Sequence, residues 1–245
     1  MLVLLLVSLL AIVTVGGELS GPLPFRSFDC NAGACTLIVV HGLNMSTEEA
    51  KSAGQLNTPN GYTMVAPPLS DQELQNRDLT PAVHRLDSFV GEYSDQQVVL
   101  AGFSAGGQLV QRFALGGSNK DVPVYYIIGA PGSYAYLSTY RPKAPAPNCT
   151  DFNVWKFGLD GVHGLNIDVQ GYLTKEVLLI VGSEDNNPAA VQQQCEDVCQ
   201  GDSHLTRTQN YYDYVQGLGA SNHSLQVVPG AGHDIDAVFR AFQLS

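Results

Sequence analysis

The sequence predicts a mainly parallel β-sheet flanked by helices, and three observations carry that prediction. Short aliphatic runs alternate with segments of helical periodicity, the order expected when each strand is followed by a crossover helix. The runs are apolar throughout rather than alternating, which suits strands covered on both faces. Several helical segments open on Thr-Pro, Asn-Pro or a lone Asp, residues that start helices.

Taken in order, the predicted strands are 36–40, 62–65, 97–101, 122–129, 177–181 and 223–228. Thr80 is placed as an N-cap with Pro81 behind it, followed by Val83, Leu86, Phe89 and Val90 on one face. Asn187-Pro188 repeats that start, with Val191, Cys195 and Val198 inward and Gly201 as the stop. Asp234 is expected to cap a last helix striped by Ile235, Val238, Phe239 and Phe242. Residues 131–173 break the alternation. They lack periodicity and carry Tyr134, Tyr136, Tyr140, Phe152, Trp155 and Phe157, so a cap over a pocket is expected there.

With 245 residues and no shift in composition, one domain over 18–245 is expected. The net charge of −11 comes from scattered acidic residues with no basic run, which excludes nucleic acid and anionic membrane as partners. Residues 2–15 are almost wholly apolar and are followed by Gly16 and Gly17 before the first charge, Glu18, the pattern of a signal peptide over 1–17. The region before that run lacks Lys and Arg, and a buried strand or an uncleaved anchor is the other reading. A secreted, extracellular protein without a stable membrane anchor is expected. Cys30 and Cys35 flank a turn-rich loop that a disulfide would close. Cys195 and Cys199 lie four apart on one side of a predicted helix, so one of them, preferably Cys195, is expected to pair with Cys149, leaving one free thiol. Zinc is the rival use of the pair, but no Cys-x-x-Cys or His-x-x-x-His accompanies it. Asn44, Asn148 and Asn222 head glycosylation sequons.

The chemistry centres on Gly102-Phe103-Ser104-Ala105-Gly106, a Gly-x-Ser-x-Gly between an apolar strand and a helical pattern. Glycines two positions either side of the serine allow a sharp turn that lifts its hydroxyl clear of the sheet at a helix N-terminus. A phosphate-binding turn is the alternative, but neither Gly-x-Gly-x-x-Gly nor Gly-Lys-Ser/Thr is present. A serine needs a base. His233 lies in Pro-Gly-Ala-Gly-His-Asp between the last strand and last helix and is the first candidate, with His163 second. His84, His204 and His223 read as solvated surface residues. The base needs a carboxylate, and Asp185 follows strand 177–181, with Glu184 its near rival and Asp234 and Asp236 distant ones.

Strand 36–40 runs into His41-Gly42-Leu43, and with the serine elbow this makes the chain resemble the α/β-hydrolase superfamily over nearly all of 18–245. The order Ser104, Asp185, His233 is the order of that superfamily. The resemblance implies that Leu43 and Ala105 donate backbone N–H groups to an oxyanion and that His41 is structural. The run Gly-Phe-Ser-Ala-Gly-Gly also resembles the elbow of small secreted esterases and polyester depolymerase-like hydrolases, with Phe103 where His or Tyr is commoner. It implies a monomeric hydrolase of small or polymeric carboxylic esters with no metal and no organic cofactor. Phe103 and Trp155 are the candidate substrate contacts. A peptidase or thioesterase with the same triad, or an inactive binding protein, are the other readings.

Overall fold

The computed structural model describes residues 35–55, 62–192 and 194–242. Six parallel strands form one sheet in the order β2-β1-β3-β4-β5-β6. They are β1 (Cys35–Val40), β2 (Tyr62–Val65), β3 (Gln97–Phe103), β4 (Pro123–Gly129), β5 (Val177–Gly182) and β6 (His223–Val228). Each predicted strand is present, shifted by two residues at most. Successive side chains of a strand point to opposite faces, and here both faces are covered. Ile38, Val40, Val98, Leu100 and Leu179 pack on one side against α3 (Thr80–Gly91), α4 (Ala105–Gly116) and α7 (His204–Gly217). Leu37, Val39, Val99, Ala101 and Ile180 pack on the other against α1 (Thr47–Gln55) and α8 (Ile235–Arg240). Burying each of the larger side chains contributes about 1.5–3 kcal/mol, so the continuous aliphatic runs hold the layers together. Short helices α2 (Asp71–Gln75), α5 (Val169–Thr174) and α6 (Cys195–Val198) complete the chain. Among the described residues no helix is long and apolar enough to cross a membrane.

Three local expectations are corrected. Thr80 does not cap α3: Leu79 holds the cap position, the buried Thr80 hydroxyl has no partner among the described residues, and Asp78 accepts the Thr80 N–H instead. The helix expected from Asn187 to Gly201 is broken. Asn187 does accept from the Ala189 N–H, but only a 3₁₀ turn (Pro188–Ala190) forms before the chain turns extended at Val191. Arg207 takes the Gln192 carbonyl, and the helix resumes only as α6, where Cys195 is bonded to Cys149. Among the described residues Cys199 is the free thiol, and it is buried, while Cys35 is disulfide-bonded. Cys30 and the signal-like residues 1–17 lie outside the described residues. Asp234 caps α8 as expected.

The third correction concerns residues 131–173. None of them lines the cleft at Ser104. The segment lies against α4 and α7, with Tyr134, Tyr136 and Trp155 in the core. Tyr134 and Tyr136 meet Tyr211 of α7, the first face to face with ring centres 4.1 Å apart. An irregular backbone can be buried only if its polar groups find partners. Gln111 donates to the Ala135 carbonyl and accepts its N–H, and Gln200 does the same for Tyr134. The fully buried Arg112 donates to the carbonyls of Ser133 and Lys156. The aromatic side chains fill the core beneath the segment, which is why it forms no cap.

Candidate active site

The residues singled out by sequence converge beyond the carboxyl ends of the strands, where open parallel sheets place their sites. Ser104 follows β3 and stands at φ 55°, ψ −117°, a left-handed strain that the surroundings enforce. A Cβ on Gly102 would lie 2.4 Å from the Gly106 oxygen, and one on Gly106 would lie 2.2 Å from the Val40 oxygen. Only glycine fits at these two places, and the turn drives the start of α4 against the end of β1.

His233 comes from the loop after β6, and Asp185 from the loop after β5. The two loops are joined: Glu184 N–H donates to the Ala231 carbonyl, and Gly230 N–H to the Ser183 hydroxyl. His233 Nε2 lies 3.1 Å from Ser104 Oγ, and His233 Nδ1 lies 2.7 Å from Asp185 Oδ2. A carboxylate only accepts, so Nδ1 of His233 carries its proton and Nε2 is left to accept from the serine hydroxyl. Glu184 is exposed and Asp185 buried, so the structure brings Asp185 and not its neighbour to the histidine. Asp234 is occupied at the start of α8 and Asp236 lines the cleft. The exposed His163 lies beside Asp78, away from Ser104.

A residue that the sequence reading set aside completes the cluster. His204, expected at the surface, is buried and donates Nδ1–H to Asp185 Oδ1 at 2.8 Å. Its ring stacks on that of His233, with centres 4.0 Å apart and planes at 15°. Burial pushes the Asp185 carboxyl up, but hydrogen bonds from His204 and His233 outweigh it and hold it down to about 2. Burial also pushes the His204 pKa down against the pull of Asp185, and the neighbouring His233 and Arg207 charges add to that. The available signal was Ser203 with Thr206, a reciprocal cap that starts α7 at His204. His223 was also expected at the surface and is buried in β6, its Nε2 facing the Tyr172 carbonyl.

Leu43 and Ala105 flank Ser104 from the ends of β1 and β3, and among the described residues neither N–H has an acceptor. The next N–H, of Asn44, is taken by the Asp71 carboxylate. His41 is buried with its ring nitrogens 2.7 Å from the Gly42 oxygen and 2.8 Å from the Leu69 oxygen, bracing this loop. Phe103 lines the cleft and its ring lies 4.7 Å from that of His233. Trp155 does not reach the cleft; it is buried in the core on the α4 side. The cleft, about 620 Å³, has an apolar side made by Leu43, Met45, Phe103 and Ile235. Glu48, Glu49, Asp234 and Asp236 stand on it, with no Lys or Arg among the described residues that line it. The three ligand-type atoms of Asp185, His204 and His233 lie close together, but both Nδ1 atoms are already engaged with the carboxylate.

No family model matches the sequence, and no curated protein matches it. Among solved structures the chain is similar to LpqC, a poly(3-hydroxybutyrate) depolymerase from Bordetella parapertussis, at 21% identity and a TM-score of 0.66. That match covers 88% of this chain and 79% of LpqC. It is also similar to poly(aspartic acid) hydrolase-1 from Sphingomonas sp. KT-1, at 17% identity and a TM-score of 0.65, over 84% of this chain and 85% of that one. At such identities the likeness speaks for architecture, and with the six-stranded parallel sheet and its flanking helices it establishes that this chain has the α/β-hydrolase fold.

Proposed function

We propose that this protein is a serine hydrolase that cleaves carboxylic esters through an acyl-enzyme. The observation that carries the reading is the continuous path Ser104 Oγ, His233 Nε2, His233 Nδ1, Asp185 Oδ2, with contacts of 3.1 and 2.7 Å. Ser104 Oγ attacks the ester carbonyl while its proton passes to His233 Nε2, and Asp185 steadies the imidazolium. The N–H groups of Leu43 and Ala105 receive the oxyanion; loss of one such donor typically costs ~10²–10³ in kcat. Collapse of the tetrahedral adduct breaks the C–O bond, and His233 returns the proton to the leaving alkoxide. Water then attacks the acyl group, giving its proton to His233, and the acid departs as Ser104 is restored.

The cleft's carboxylates disfavour anionic substrates, and its apolar side suits an uncharged acyl or alcohol group. Likeness in fold to a poly(3-hydroxybutyrate) depolymerase, whose polymer is an uncharged polyester, supports polymeric substrates of this kind. Secretion is part of the proposal, supported by the Cys149–Cys195 disulfide and by the exposed sequon residues Asn44, Asn148 and Asn222. The test is labelling with a fluorophosphonate, followed by esters graded in chain length and charge beside matching amides and thioesters. Labelling lost in Ser104→Ala, with esters the best substrates, is the expected result. A wild-type protein that does not label overturns the serine hydrolase reading, and faster amide or thioester cleavage overturns the ester assignment.

A further inference from the structure

The carboxylate of Asp185 has two imidazole partners. The serine mechanism uses only one of them, and the other calls for an explanation. His204 is nearly closed off from solvent, as is Asp185, whereas His233 is open to the cleft. The two rings come from different loops, His233 after β6 and His204 at the start of α7, and they meet only over Asp185. Leu205 N–H donates to the Asp185 carbonyl, so the same turn of α7 grips both the backbone and the side chain of that residue. Ser203 and Thr206 close the turn by reciprocal capping, which fixes where the His204 ring projects. Besides Asp185 and His233, the charged group facing the His204 ring is Arg207, one turn along its own helix.

We propose that His204 is a positioning residue for the Ser104–His233–Asp185 hydrolytic site. Its Nδ1–H anchors Asp185 Oδ1 so that Oδ2 faces His233 Nδ1, and its ring face sets the plane in which the His233 ring lies. A carboxylate held through one oxygen only can rotate about its Cβ–Cγ bond, and a solvent-facing imidazole with only the tilted Phe103 ring beside it can swing out of line with Ser104 Oγ. His204 removes both freedoms without touching substrate. Small errors in such alignment are costly in rate. This inference rests on the serine hydrolase reading.

The test separates the hydrogen bond from the stack. His204→Phe keeps a ring against His233 and removes the donor; His204→Asn places an amide N–H near the original Nδ1 and removes the ring. The expected fall in kcat for His204→Phe is about 10–100-fold with KM little changed, the range that loss of an outer partner orienting a metal ligand costs. His204→Asn is expected to recover most of that loss. In wild type, proton NMR is expected to show two low-field imidazole N–H resonances, and one of them is expected to vanish in His204→Phe. Wild-type kcat in His204→Phe overturns the proposal, as does a His204→Asn no better than His204→Phe. If His204→Phe does not fold, His204→Gln replaces it: its amide sits one methylene too far out, so kcat below that of His204→Asn supports the proposal and equality overturns it. Ser104→Ala run alongside keeps the two readings apart. When wild type hydrolyses esters and Ser104→Ala does not, a silent His204 change sinks the positioning role alone. When wild type neither labels nor hydrolyses, the catalytic reading falls and takes the positioning role with it.

Discussion

Gly182, the last residue of β5, lies so close to Ala231 that a Cβ added to it would stand 2.1 Å from the Ala231 carbonyl oxygen. That carbonyl also accepts the Glu184 N–H, so at this point the loops bearing Asp185 and His233 touch backbone to backbone. Gly182→Ala is therefore expected to push the His233 loop away from the sheet. A displacement near 1 Å costs on the order of 10²-fold in rate. The expected outcome is a kcat about 100-fold lower with a folded circular dichroism spectrum; an unchanged kcat would mean that the loops separate without consequence.

Asp185 and Glu184 are neighbours in sequence with opposite environments. Asp185→Asn leaves the volume but removes the charge and turns one of the two accepting oxygens into an NH2 donor. The group facing His233 then no longer fixes its tautomer, and in a serine triad this change lowers kcat about 10⁴-fold. Glu184→Gln, at an exposed position, is expected to leave kcat close to wild type. Steady-state rates on one ester for both variants decide the matter, and equal losses would sink the assignment.

The acid side of the stability profile carries a signature of His204. In the unfolded chain this histidine takes up a proton below about pH 6.5. In the fold, burial depresses its pKa, so over that window the unfolded chain binds more protons and stability falls as pH falls. The Asp185 contribution is present above the ordinary carboxylate range and is lost only as pH drops toward about 2. Urea midpoints of wild type and His204→Asn should thus converge between about pH 7 and pH 5, where the Asp185 contribution is constant. Parallel midpoints would show that His204 does not titrate in this way.

Arg112 tests the packing beneath the site. Arg112→Met keeps most of the length and removes every donor to the carbonyls of Ser133 and Lys156. Orphaned buried acceptors cost about 1–3 kcal/mol each, so a loss of about 3 kcal/mol or more is expected in urea unfolding. Folded protein is still expected to label at Ser104, because residues 131–173 do not line the cleft. Loss of labelling in folded Arg112→Met would tie that segment to the site.

What could be read from sequence follows from where each signal resides. The strands announced themselves because burial on both faces demands an unbroken aliphatic run, as at Val177–Gly182. Ser104, Asp185 and His233 were legible because each sits in a loop of small residues directly after such a run. His204 was not, since its partner Asp185 lies 19 residues away and the polar stretch around it resembles any surface loop. The segment 131–173 was misread because periodicity is silent about irregular chain. The clue lay elsewhere, in Gln111 and Arg112, polar side chains on the buried face of α4.

Those side chains have a consequence for how this protein can vary. Gln111 and Gln200 each imitate a neighbouring strand, offering one donor and one acceptor to the main chain of Ala135 and Tyr134. Arg112 likewise holds main-chain oxygens, with the Ser133 hydroxyl its side-chain acceptor. Main-chain atoms are common to every residue type, so where this stretch passes Ser133, Tyr134, Ala135 and Lys156 its course is held by three residues that lie outside it. The buried aromatics of the stretch are bound by packing, but its exposed positions, such as Tyr140, are free to drift: relatives can differ there and still follow the same path, provided that they keep two amides and a guanidinium at 111, 200 and 112.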